Sequence, residues 1–162
     1  ALCTFLTREG FSGCGQESYY RAENSLMDRV LATKRGIPIS LSLVYQEVGR
    51  AAGLHLRGAS FPGHFLMLFG EGQTAGMLDA FSGRILSETE AEEHFMKLFG
   101  QPVRLDPNWA SAPRLPNIAF LRRMVLNLQN VYRRDGNISQ AARLAQYATV
   151  LEAQAAKDQA TE

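Results

Sequence analysis

Cysteine is scarce in this sequence, because only Cys3 and Cys14 occur among 162 residues. A small secreted domain held together by a disulfide framework is therefore excluded, since such scaffolds need several cysteine pairs. The two residues could pair with each other, but their usage is more typical of a protein in a reducing compartment. We expect free thiols and a cytoplasmic location.

Long apolar runs and a strong excess of one charge are also missing. No apolar run approaches the length that spans a bilayer, and no cationic leader precedes a small-residue cleavage site. The net charge of +1 gives no reason to expect a nucleic-acid or membrane partner. With 46% apolar and 20% charged residues, the chain has the balance of a soluble globular protein. Its oligomeric state stays open.

Motifs that bind metals and phosphates are absent as well. His55, His64 and His94 show no two-ligand spacing, and neither HExxH nor CxxC occurs. The stretch GEGQTAG, residues 70–76, lacks the lysine and the following helix of a phosphate-binding loop. We therefore expect no metal site and no cofactor. His94 and its two acidic neighbours are predicted to form a solvated helix face.

Helix and strand signals alternate along the first half of the chain. Asn24 is the predicted N-cap of a helix that ends before Gly36. Pro38 suits the first position of a second, largely buried helix that ends before Gly53. Short apolar runs then predict three strands, at about 54–60, 62–69 and 75–81.

Helices dominate the remainder of the chain. Ser87 and Glu90 form a predicted capping box, and the proline-rich residues 107–116 form a predicted linker. Two helical patterns on either side of Gly136 then predict a helical hairpin, about the size of one tetratricopeptide unit. One such unit cannot cover its own apolar face. The following side chains are therefore predicted to pack on the core or across the hairpin: Leu121, Met124, Val125, Leu144 and Leu151.

His64 begins the apolar run that predicts the second strand. If the strands on either side of residues 70–73 pair symmetrically, Phe69 faces Thr74 and His64 faces Asp79. Directly opposed residues project from the same face of a sheet about 5 Å apart. The carboxylate is then expected to hydrogen-bond the imidazole and fix its tautomer. The alternative is a core histidine that an aspartate holds for structural reasons alone.

Three segments resemble the transglutaminase-like domain of the SirB-type family: ENSLMDRVLATKRGIPISLSLVYQEVGRAAGL, FPGHFLMLF and MLDAFSGRIL. The resemblance implies an α+β fold, in which a transglutaminase-like core of the papain-like superfamily has a small antiparallel sheet and is followed by tetratricopeptide-like helices. The corresponding boundaries are 1–106 for the core, 107–116 for the linker and 117–162 for the helical hairpin. The superfamily uses a cysteine at a helix N-terminus, a histidine on a strand and an aspartate on the next strand. His64 and Asp79 match the last two in order and spacing.

The cysteine of this pattern has no counterpart, because the helix that it should open begins with Pro38. The favoured explanation is a pseudo-enzyme whose cleft persists as a binding site. In a second explanation Ser40 replaces the thiol, and a Ser40–His64–Asp79 triad serves a hydrolase or an acyl transferase. In a third, Cys14 reaches the site from its glycine-rich loop.

We therefore expect a regulatory, non-catalytic module that binds a protein or a peptide. Its predicted binding residues are Asn24, Pro38, Ser40 and Gly63. Tyr19 and Tyr20 can pack over the mouth of the cleft. Several arginines of the hairpin are predicted to form a solvated face, with the docking of an acidic peptide as the alternative: Arg122, Arg123, Arg133, Arg134 and Arg143.

Overall fold

A computed structural model describes residues 1–61, 64–102, 104–111 and 115–159 of the chain. The helices are α1 (Leu2–Arg8), α2 (Met27–Thr33), α3 (Pro38–Ala51), α4 (Glu88–Phe99), α5 (Asn117–Arg134) and α6 (Ile138–Gln159). The strands are β1 (Ser12–Gly13), β2 (Arg35–Gly36), β3 (Arg57–Phe61), β4 (His64–Phe69), β5 (Gly76–Asp79) and β6 (Arg84–Leu86). The architecture is α+β, as the sequence predicts.

The main sheet has four antiparallel strands in the order β3-β4-β5-β6. Three of them lie inside the predicted strand ranges or within one residue of them. The fourth, β6, was not predicted, because its three residues follow a tight turn and are too short to show an alternating pattern. The strands β1 and β2 form a separate parallel pair of two residues each.

The two faces of this sheet are covered by different helices. Phe65 and Met67 of β4 belong to a large core that includes α1, α2 and α3 and the side chain of Phe120 from α5. Leu66 and Leu68 of the same strand belong to a second core, which α4 completes. The alternation along β4 places even-numbered residues, including His64, on the α4 face of the sheet.

The helix α3 begins at Pro38, as predicted, with Ile37 as its N-cap. Proline is favoured there because the first helical residue has no intrahelical partner for its N–H. The chain just before the helix is tightly packed, since a Cβ added to Gly36 would lie 2.6 Å from Oγ of Ser40. Most of α3 is buried, so its packing holds the first turn of the helix in a defined position.

The predicted N-cap role of Asn24 is wrong, because α2 begins at Met27 with Leu26 as its N-cap. Asn24 instead ends a short 3₁₀ helix, Ala22–Asn24. Its side-chain amide donates to the carbonyl of Ser18 at 2.5 Å. An asparagine side chain can satisfy a nearby backbone group outside a helix as well as at its start, and the local sequence does not distinguish the two.

The C-terminal helices α5 and α6 form an antiparallel hairpin that turns at Gly136, where φ is +73°. Met124 of α5 packs on the large core, as predicted, and Phe120 of the same helix is part of that core. Leu121 does not, because half of its surface is exposed. No helix in the described part of the chain is long and apolar enough to cross a bilayer.

Candidate functional site

The structure brings His64 and Asp79 together, with Nε2 of His64 3.3 Å from Oδ1 of Asp79. The expected register is wrong by two residues, because Phe69 pairs with Gly76 and a 3₁₀ turn, Gly72–Thr74, occupies the connection. A shift of two residues keeps each side chain on the same face, so the pair still forms. Nε2 of His64 is close to this carboxylate, but it has no well-aligned hydrogen bond with any described residue.

The carboxylate of Asp79 is held in place by the backbone that follows it. The N–H groups of Phe81 and Ser82 donate to its two oxygens at 3.0 and 3.3 Å. Burial alone would raise the pKa of Asp79, but His64, Ser82 and the N–H of Phe81 outweigh it and lower the pKa. The site therefore contains a fixed, buried negative charge beneath the imidazole.

A second histidine completes this cluster. The ring of His94, from α4, lies 4.6 Å from the ring of His64, measured between centroids. The prediction of a solvated face for His94 is wrong, since the residue is half-buried and its Nε2 has no hydrogen-bond partner among the described residues. Burial, and then the neighbouring His64, lower the pKa of His94. His94 is the site residue that the sequence analysis missed.

Two cavities meet at this cluster, and both are lined by Tyr19, Pro38 and His64. The first has a volume of about 490 Å³ and lies between the start of α3 and the helix α5. The second, about 440 Å³, is bounded by Cys14 and His94. Tyr19, which is expected over the cleft, thus lines both cavities, as His64 does.

Arg123 of α5 secures the backbone at the end of β3 and at the start of β4. Its guanidinium donates to the carbonyls of Phe61 and His64, both at 3.0 Å, and lies over the ring of Phe65. Burial lowers the pKa of Arg123, and the nearby Tyr19 partly offsets this decrease. The prediction of a solvated arginine face is therefore wrong at this position, where the side chain is a structural part of the site.

The hydroxyl of Ser40 is engaged away from the imidazole. It donates to the carbonyl of Asn24 at 2.7 Å and accepts from the N–H of Ile37 at 3.1 Å. Ser40 is fully buried, and it is not among the residues that line either of the two cavities at His64. The structure thus brings together His64 and Asp79 of the predicted triad but places Ser40 in the helix cap.

Cys14 reaches the second cavity, where the glycine-rich loop passes the start of α3. Its backbone N–H donates to the carbonyl of Gly36 at 3.1 Å, and its side chain is buried. Burial raises the pKa of the Cys14 thiol, which keeps it protonated at neutral pH. Burial, followed by the neighbouring Cys14, also raises the pKa of Tyr19. The thiol is near the site but not activated.

The sequence of this fold matches a described protein family. A profile for the transglutaminase-like superfamily matches residues 1–126. The chain belongs to this superfamily. The matched range runs through the sheet and includes the first half of α5, with Phe120 and Arg123. No solved structure gave a significant match.

Curated relatives of this transglutaminase-like chain occur in bacteria and animals. It is 35% identical over 138 residues to a UPF0162 protein of Xylella fastidiosa, covering 84% of this chain and 49% of the relative. A UPF0162 protein of Vibrio cholerae is 32% identical, and the match covers 72% of this chain and 43% of the relative. Human F-box only protein 21 is 35% identical, and the match covers 73% of this chain and 19% of the F-box protein. The chain thus spans about half the length of the bacterial relatives and a fifth of the F-box protein.

The remaining predicted binding residues of the transglutaminase-like domain are distributed unevenly. Pro38 lines both cavities, whereas Asn24 supplies a carbonyl to the cap of α3. Gly63 lies outside the described residues. Within the described ranges, no group of three or more histidine, cysteine or acidic side chains is placed to hold a metal ion.

Proposed function

We propose that the chain is a non-catalytic transglutaminase-like module that binds a protein or a peptide in the cleft at His64, in a regulatory role. The observation that carries this proposal is the residue at the first position of α3. Pro38 faces the cavities that His64 lines, where the family resemblance implies a cysteine. A proline side chain offers neither a nucleophile nor a group that His64 could deprotonate.

Two side chains could substitute for the missing thiol, and the geometry supports neither. The Ser40 hydroxyl is bonded within the cap of α3, so it would have to break two buried hydrogen bonds to face His64. The Cys14 thiol has a raised pKa, whereas a nucleophilic cysteine needs a lowered one. The open cleft and the fixed His64–Asp79 pair remain, and these suit the recognition of a ligand.

Finer features of the family assignment belong to the same proposal. The GIPISLS and FPGHF segments support membership of the SirB-type group, and the α5–α6 hairpin supports a tetratricopeptide-like helical region. The boundaries 1–106, 107–116 and 117–162 stay a prediction. Cys3 and Cys14 are free thiols in the structure, which supports a cytoplasmic location.

Activity-based labelling tests the absence of catalysis. A fluorophosphonate modifies serines that a neighbouring base activates, and a peptidyl acyloxymethyl ketone modifies activated cysteines. We expect neither reagent to label the native protein at a rate that depends on His64, so the His64→Ala variant should match the wild type. Labelling of Ser40 or Cys14 that is lost in His64→Ala would promote the corresponding triad instead.

Selection of random phage-displayed peptides on the immobilised chain tests the binding role. Ala119 of α5 lines the first cavity, so Ala119→Phe should fill it and weaken the selected peptides about tenfold or more. The matched control is Ala142→Phe, because Ala142 is exposed on α6. Equal loss in both variants, or unaltered binding to Ala119→Phe, would contradict binding at this cleft.

A further inference from the structure

The residues that line the first cavity favour one kind of ligand group, which the proposed function does not specify. Its volume of about 490 Å³ lies within the range of sites for small ligands and ligand side chains. Apolar residues form much of its wall, and the polar groups that converge on it are few. They are the side chains of Tyr19, His64, Arg122, Arg123 and Asn127.

The charges of this lining are of one sign. It includes Arg122 and Arg123 and no acidic residue. The contacts of Arg123 with two backbone carbonyls occupy its donors without cancelling its positive charge. Arg122 is paired through Nη2 with Glu152 of α6, but its Nε is buried and has no hydrogen-bond partner among the described residues. A buried donor without an acceptor is unfavourable, so an acceptor in the cavity would be stabilised.

The backbone adds further positive charge at the first cavity. Pro38 and Ile39, the first two residues of α3, line the cavity. The N-terminus of a fourteen-residue helix carries partial positive charge and N–H groups without intrahelical partners. His64 is only 5% exposed and also lines this cavity, but its Nε2 lies 3.3 Å from Oδ1 of Asp79 and is not counted as a donor to the ligand. The helix end and the two arginines therefore favour the same kind of ligand group.

We infer that the first cavity binds a carboxylate group of the ligand, either the C-terminus of a peptide or an acidic side chain. The inference rests on the proposed peptide-binding function and names the chemical group that the cleft recognises. A carboxylate accepts two hydrogen bonds from an arginine fork and is stabilised at a helix N-terminus. A neutral oxygen of the same size accepts weaker hydrogen bonds from the same groups.

Acetate is the simplest probe of this inference. Amide NMR spectra are recorded while sodium acetate replaces sodium chloride at constant ionic strength. We expect saturable shifts at Ile39, Ala119 and Asn127, which line the cavity. The absence of saturable shifts at these residues in the wild type would overturn the inference, whatever happens to any variant.

The variant Arg122→Gln keeps a polar side chain and removes the charge. We expect its apparent affinity for acetate to fall about tenfold, since a hydrogen bond between two charged groups is stronger than one to a neutral amide. Arg133→Gln is the matched control, because Arg133 is exposed on the same helix and does not line the cavity. An equal fall in both variants would show a general charge effect and contradict the site.

Three acetylated tetrapeptides then separate the sources of the carboxylate. One has a free C-terminus and no acidic residue, one has a C-terminal amide and a glutamate, and one has neither carboxylate. We expect one of the first two to bind and the third to bind at least tenfold more weakly. Equal binding of all three would keep the peptide-binding function and overturn the carboxylate inference. Saturable binding of acetate without binding of any peptide would keep the carboxylate inference and overturn the peptide-binding function.

Discussion

The imidazole rings of His64 and His94 lie 4.6 Å apart, although one belongs to a strand and the other to a helix on the α4 face of the sheet. Asp79 is adjacent to His64, so the cluster has one negative charge for two groups that can become positive. Protonating both histidines would place like charges side by side. A proton on His94 is therefore unfavourable while α4 stays packed beside His64.

We predict that His94 makes the protein less stable as the pH falls below neutrality. Its pKa in the folded state is lowered from 6.5, chiefly by burial, so the unfolded chain takes up this proton first. Stability is therefore lost as the pH falls through 6.5 towards the lower folded pKa. His94→Gln should flatten the pH dependence of urea unfolding in that window. The exposed His55→Gln is the control, and an equally flattened curve for it would contradict the prediction.

Asp79→Asn should destabilise the fold by about 1–3 kcal/mol at neutral pH, because an amide NH₂ would then face a backbone N–H that now donates to the carboxylate. The folded pKa of Asp79 is lowered below 3.8, so the stabilisation is present above that value and disappears as the pH falls through the folded pKa. Urea unfolding at neutral and acidic pH measures both effects. Asp28→Asn, at an exposed position, should change stability little.

Ser40→Ala should cost about 1–2 kcal/mol of stability, because it leaves the N–H of Ile37 and the carbonyl of Asn24 without the hydroxyl that joins them. Chemical denaturation gives the difference directly. Ser139→Ala is the matched control, since its hydroxyl is exposed at the start of α6. A Ser40→Ala variant as stable as the wild type would show that the hydroxyl is not needed in the cap.

Both thiols should remain reduced in the protein as isolated. The structure places Cys14 in the core and Cys3 half-buried on α1, and burial raises the pKa of each. A protonated, buried thiol oxidises slowly, because the thiolate is the reactive form. Titration of the denatured, non-reduced chain should recover two thiols per molecule. Recovery of none would indicate a disulfide and a different compartment.

Features that depend only on residues close together in the sequence could be predicted from it. The start of α3 at Pro38 and the Ser87–Glu90 capping box are examples, and both are present. They follow from backbone groups within one helical turn, so no knowledge of the tertiary fold is needed. The contact between His64 and Asp79 was predictable for a related reason, since the face of a strand survives an error of two residues in register.

The roles of His94 and Arg123 could not be predicted in this way. Whether one side of a helix is solvated depends on what packs against it, and α4 covers the sheet beside a fourth strand that has no clear signal in the sequence. Arg123 contacts carbonyls about sixty residues earlier in the chain. No local pattern encodes such a contact, because the strands that it meets and the helix that carries Arg123 are far apart in the sequence.

The bonds from Arg123 to Phe61 and His64 have a consequence for how the protein is made. During synthesis the strand that bears His64 leaves the ribosome well before α5, since 59 residues separate Arg123 from His64. At typical elongation rates this interval lasts roughly 3–12 s. Throughout it Phe61 and His64 have no guanidinium to bind their carbonyls, and the ring of Phe65 has no contact with Phe120. A newborn chain therefore has its cleft exposed and unfinished before the last helices arrive, and a chaperone that recognises apolar surface could engage it at that stage.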